Sequence, residues 1–176
     1  MLVPEIDKAL GIEVYATETR GIGGVIRSAV EDFAVEEVLV DGSRATIEAA
    51  ESHALRASRD KQGFLLCVLV KRNWDTFIAI KNVARQLGVS PEQISIAGIK
   101  DAKAVTAQHI TIEHGTIEDA TKVNVKDIEI RPIGYFRDKL APYYLLGNNF
   151  HIIIKAIKLA TSTIMKRITA TMHELE

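Results

Sequence analysis

The sequence predicts an α/β (α+β) fold, a mixed and mostly antiparallel sheet with flanking helices, on three observations. Short apolar segments with strand-like patterning recur along its 176 residues, and a helix-period stripe lies between two of them. The apolar share of 47%, beside 26% charged residues, is that of a chain able to bury one substantial core. A single domain, or a piece of a larger one, is the expectation.

The elements follow in order. After a loop-like start, Phe33, Val35 and Val38 nearly alternate with acids over Glu31 to Val38, which reads as a half-buried strand near an edge. The stretch from Ile47 to Arg59 lacks a strand pattern and reads as a helix or a long loop. Gln62 to Lys71 is apolar on both faces, as in a central strand. Asn73 or Asp75 then caps a helix whose stripe is Phe77, Ile80, Ala84 and Leu87 and whose end is Gly88.

Ser90-Pro91 opens a short helical turn, and Ile94 to Ala97 returns as a strand, completing a β-α-β unit. Val105 to Glu113 mixes apolar and polar residues on both faces, which predicts a strand with one face open to a ligand. Ile128 to Ile133 and Asn149 to Ile157 are further strands. Ile164, Ile168, Met172 and Leu175 mark an amphipathic helix that starts after a Thr161-Ser162-Thr163 capping cluster. The chain stops at the end of that helix with no glycine cap, which reads as an interruption.

Several chemistries lack their residues. The one cysteine, Cys67, sits in an apolar run and reads as a buried hydrophobe. No metal-site spacing is present among the five histidines, and Gly21-Ile22-Gly23-Gly24 lacks the lysine and hydroxyl of a phosphate loop. With no leader, no membrane-length apolar run and no disulfide, the expected compartment is the cytoplasm, away from any membrane. Net charge is -1, so there is no global nucleic-acid footprint. Nine of the 22 basic residues fall between Leu55 and Ile110 against four acids, which allows a locally basic surface there.

That stretch holds the segment most suggestive of chemistry. In Gly98-Ile99-Lys100-Asp101-Ala102-Lys103 a strand ends at a glycine and two lysines flank one aspartate. A carboxylate held in a strand-end loop can act as a nucleophile or a base, although a surface turn with a salt bridge has the same local composition.

The longer run Gly98-x-Lys100-Asp101-x-x-Ala104-Val105-Thr106-x-Gln108 resembles the signature of the TruD family of tRNA pseudouridine synthases. Ile26-Arg27 with Glu31-Asp32-Phe33-x-Val35-x-Glu37 resembles that family's first strand, Lys71 to Thr76 the lead into its helix, and Gly147-Asn148-Asn149-Phe150 its Gly-Asn-x-Phe motif. Where many members carry lysine, this chain has Arg27, which keeps the charge and changes the donor geometry.

The resemblance implies an isomerase that converts uridine, at position 13 of tRNA, to pseudouridine with no cofactor and no metal. Asp101 is then the catalytic residue, and Arg27, Phe33, Lys100, Asn148 and Phe150 are the substrate-binding candidates. It further implies that residues 1–176 are the N-terminal part of the catalytic domain, without the inserted domain and the C-terminal half. The partners expected on this reading are tRNA and either the missing half or a second copy, joined through exposed edges. Two alternatives remain at this level: an RNA-binding module without turnover, and a non-catalytic interaction domain.

Overall fold

The computed structural model describes residues 3–49 and 63–176. The chain divides into two compact units, one formed by Arg27–Ile153 and one by Met1–Ile26 with Ile154–Glu176. Most of the stretch expected as helix or long loop, Ile47 to Arg59, lies outside the described residues.

The larger unit is a mixed sheet of β1 (Phe33–Leu39), β2 (Phe64–Arg72), β3 (Ile94–Ile96), β4 (Val105–Ile112), β5 (Ile128–Phe136) and β6 (Leu145–Ile152). The order is β5-β2-β4-β1-β6, with β3 also on β4, and the β1–β4 pair alone among these is parallel. β2 is an interior strand paired on both sides, as its two-sided apolar pattern suggests, although β4 and not β2 is the middle one; β1 lies one strand in from the β6 edge. β1 alternates strictly, with Phe33, Val35, Glu37 and Leu39 buried. The fully buried third position is therefore Glu37, where the sequence pattern favoured Val38.

A helix over Thr76–Leu87 packs Ala79, Ile80, Val83 and Ala84 against Leu65, Cys67, Leu69, Ile110 and Ile112 of β2 and β4. Asp75 is its cap: its carboxylate accepts from the Phe77 and Ile78 amides. Gly88 ends it in the left-handed region, φ +68°. Phe77, expected on the buried stripe, is instead 55% exposed, because the buried arc is centred on Ala79 and Val83. Burial in this core pushes the Cys67 thiol up.

β4 differs most from expectation. All eight of its residues are buried, so neither face is open to a ligand. The helix covers one face and Ala45, Ile133 and Leu140 cover the other. Two of its polar side chains are drawn into internal bonds: Thr111 Oγ1 accepts from the Leu140 amide at 3.0 Å, and Gln108 Nε2 donates to the Gly98 carbonyl at 3.1 Å.

One side of β4 also changes partner. It pairs in parallel with β1 at Val105–Ala107 and antiparallel with β3 at Ile110–Ile112. β2 and β3 therefore run in the same direction on either side of β4, so the predicted β-α-β crossover spans an inserted strand. At the break between β1 and β3, the His109 amide has no strand partner and donates to Glu37 Oε2 at 3.0 Å.

In the smaller unit a short helix, Glu5–Ala9, precedes a loop, and Val25 bridges to Lys155. A second helix spans Thr161–Leu175. Its N-cap is Ala160, with no side-chain cap, so the threonine and serine expected as caps form its first turn. Ile168, Met172 and Leu175 on its apolar stripe are exposed.

Candidate active site

The loop between β3 and β4 crosses the sheet face beside the Thr76–Leu87 helix and carries Asp101. It leaves β3 through Gly98, where a Cβ would lie 3.0 Å from Leu145 Cδ2; glycine lets the loop lie close on β6. Thr76 Oγ1 donates to the Lys100 carbonyl at 3.0 Å and accepts from the Lys100 amide at 3.2 Å. At the loop's end the Ala104 carbonyl accepts from the Asn73 amide at 3.0 Å.

Asp101 keeps a third of its side chain exposed and pairs with Arg27, Nη2 to Oδ1, at 2.5 Å. Arg27 has φ +59°, a left-handed conformation that costs a non-glycine residue about 1 kcal/mol or more. Its guanidinium lies 3.8 Å above the centroid of the Phe33 ring. Phe33 in turn meets Phe150 edge to face, with centroids 5.9 Å apart and planes at 67°. Sheet register accounts for that contact. Phe150 sits opposite Val35 on β6, on the face that carries Phe33. Phe33 is buried, and Phe150 is 51% exposed.

Four of the six residues singled out from the sequence, Asp101, Arg27, Phe33 and Phe150, thus form one continuous set of contacts. Asn148 is exposed on β6, opposite Glu37 and two residues from Phe150 on the same sheet face. Lys100 is placed differently: it is buried, with Nζ 3.1 Å from Oε1 of the fully buried Glu37. Glu37 escaped the sequence reading of site residues because it stands beside Glu36 in a run of acids. Only its alternation with Phe33 and Val35 hinted at an inward position.

Lys71 was also missed. It reads as the charged end of a strand, yet it has no exposed surface, and its ammonium donates to the carbonyls of Asp101 at 2.7 Å and Trp74 at 2.8 Å. Burial pushes its pKa down to about 8; Asp75 and Asp101 oppose that shift and Lys100 adds to it. With Lys71 and Lys100 buried, the exposed cations described from the basic stretch are Arg72, Lys81, Arg85 and Lys103. The locally basic surface is smaller than composition suggested.

A partly exposed carboxylate, an arginine stacked on one ring and a second ring open to solvent can together receive a planar base and hold a carboxylate beside it. A sequence model of tRNA pseudouridine synthase D (TruD) matches residues 9–176. A Methanosarcina barkeri protein named probable tRNA pseudouridine synthase D is 35% identical over 175 residues, 99% of this chain and 36% of its own length. A Thermococcus onnurineus protein of the same name is 38% identical over 143 residues, 81% of this chain and 30% of its own. The crystal structure of a Methanosarcina mazei protein described as "putative tRNA pseudouridine synthase D (TruD)" superposes with a TM-score of 0.83 at 33% identity, over 99% of this chain and 37% of that one. The chain thus spans about a third of the length of these relatives, and on the match over residues 9–176 it belongs to the TruD family of tRNA pseudouridine synthases.

Proposed function

We propose that this chain carries the reacting carboxylate of a tRNA uridine isomerase. The observation that carries the reading is the Asp101–Arg27–Phe33–Phe150 set: a carboxylate, its cation and two aromatic rings in successive contact at the surface of the sheet. In pseudouridine formation the bond from uracil N1 to the ribose C1′ breaks, the base turns, and C5 bonds to C1′. The C5 proton is lost and N1 gains one, so the product is an isomer. Asp101 serves either as nucleophile at C1′ or as base on the sugar.

Each neighbour has a role in that reading. Arg27 orients the Asp101 carboxylate and supplies positive charge where a phosphate approaches. The open ring of Phe150 stacks on a uracil that has left its own stack, offsetting a flipping cost of a few kcal/mol. Asn148, on the same face, is placed to hydrogen-bond the base edge. The substrate is tRNA, at position 13, and the compartment the cytoplasm; among the described residues no helix is long and apolar enough to cross a membrane.

The length relation to the relatives favours one second reading, in which this chain binds RNA and needs further polypeptide for turnover. Incubating it with unmodified tRNA, alone and together with the remaining part of the Methanosarcina mazei relative, and mapping pseudouridine separates the two. Product from the chain alone supports autonomous activity. Product only from the mixture supports the need for a second part, and binding without product in either supports the binding module.

A further inference from the structure

Loops hold a side chain less precisely than strands or helices do. Here the main chain around Asp101 is held by buried charge on two sides. Lys71, at the end of β2, donates to the Asp101 and Trp74 carbonyls and lies 3.5 Å from the Lys100 carbonyl. Trp74 leads into the Thr76–Leu87 helix, so one ammonium ties the loop to both the helix entry and β2. On the other side Lys100 reaches down to Glu37, whose second oxygen takes the His109 amide at the break between β1 and β3. The residue before Asp101 is thereby tied to the point where the sheet changes partner.

A surface turn with a salt bridge needs none of this. Burying an ammonium or a carboxylate costs several kcal/mol, which only close and specific partners offset. The depressed pKa of Lys71 reflects that cost. The chain nonetheless places three buried ionisable groups, Lys71, Lys100 and Glu37, around one partly exposed aspartate. We infer that Lys71 and the Glu37–Lys100 pair are positioning residues for Asp101, fixing the backbone from which its carboxylate meets Arg27. The functional meaning rests on the reading of Asp101 as the reacting group; the geometry does not.

The test uses the 176-residue chain and two variants, Lys71→Met and the double substitution Glu37→Gln with Lys100→Met, which preserves volume and leaves no buried charge unpaired. Hydrogen exchange is read at two reporters, the Asn73 amide bonded to Ala104 and the Lys100 amide bonded to Thr76. Val68 and Leu69 in β2 serve as controls for global opening. The guanidinium proton resonances of Arg27 report its pair with Asp101.

In both variants the reporters are expected to lose about tenfold or more protection relative to the controls, with broadening of the Arg27 resonances. Reporters and controls falling by the same factor, no fall at all, or an unchanged Arg27 signal would overturn the inference. If Lys71→Met does not fold, the double variant decides. If neither folds, the three residues belong to the folding core and the positioning role is lost. No readout requires pseudouridine, so the failure of this inference is distinct from the failure of the proposed function.

Discussion

Arg27 Nη2 donates to Asp101 Oδ1 at 2.5 Å while the same guanidinium covers the Phe33 ring. A partly exposed ion pair adds about 1 kcal/mol or less to stability. Its value is in fixing the carboxylate. Arg27→Ala should therefore leave a denaturant midpoint almost unmoved and lower pseudouridine formation about a hundredfold, as removal of one well-placed charge donor does. Arg27→Lys should fall between, since it keeps the charge and loses the planar stack.

Phe33 and Phe150 touch but differ in burial, so substitution should separate their roles. Phe33→Ala removes a buried ring and should cost about 3–5 kcal/mol in an unfolding titration. Phe150→Ala exposes little more than is exposed already. It should cost about 1 kcal/mol or less and weaken tRNA binding by about 1–3 kcal/mol, the worth of one stacked base. Filter binding and chemical unfolding of both variants provide the comparison.

Lys100 precedes Asp101 by one residue and Lys103 follows it by two, yet the two should behave oppositely. Lys100→Ala leaves Glu37 buried without its cation and should destabilise by about 3–5 kcal/mol. Lys103 is exposed, so Lys103→Ala should leave stability intact while reducing the salt dependence of tRNA binding by about one counterion. Equal stability in the two variants would contradict the buried placement of Lys100.

The lowered pKa of Lys71 fixes the sign of a pH effect. Below about pH 8 the ammonium is protonated in folded and unfolded chains alike, and its burial penalty is present in full. Between about 8 and 10.5 the unfolded chain holds a proton that the folded chain has released, so stability rises with pH, by up to about 1.4 kcal/mol per unit. The stability of the wild type relative to Lys71→Met should therefore be flat below pH 8 and rise above it. Unfolding titrations of both proteins across that range measure the difference.

Local chemistry was the legible part of this chain. Asp75 and Gly88 bound their helix as cap chemistry requires, and β2, apolar on both faces, lies inside the sheet with a strand on either side. The residues gathered around Asp101 could be picked out because they fall in stretches that resemble the TruD family's motifs. Glu37 and Lys71 could not, because their burial depends on pairings across the sheet. Glu37 plugs a break that exists only where β4 passes from β1 to β3, and Lys71 meets the carbonyl of a residue thirty positions away. β4 misled for the same reason: its polar residues read as an open face, and long-range bonds to Gly98 and Leu140 close it.

The central claim is that the Asp101 carboxylate does the chemistry. Asp101→Asn keeps the shape and a hydrogen-bond acceptor for Arg27, and the side chain is partly exposed, so the variant should fold and bind tRNA like the wild type. Pseudouridine mapping should be run on unmodified tRNA with matched wild-type and Asp101→Asn preparations, each alone and each with the remaining part of the Methanosarcina mazei relative. The account predicts product from the wild type in at least one of these settings and none from Asp101→Asn. Equal product from the two would contradict it.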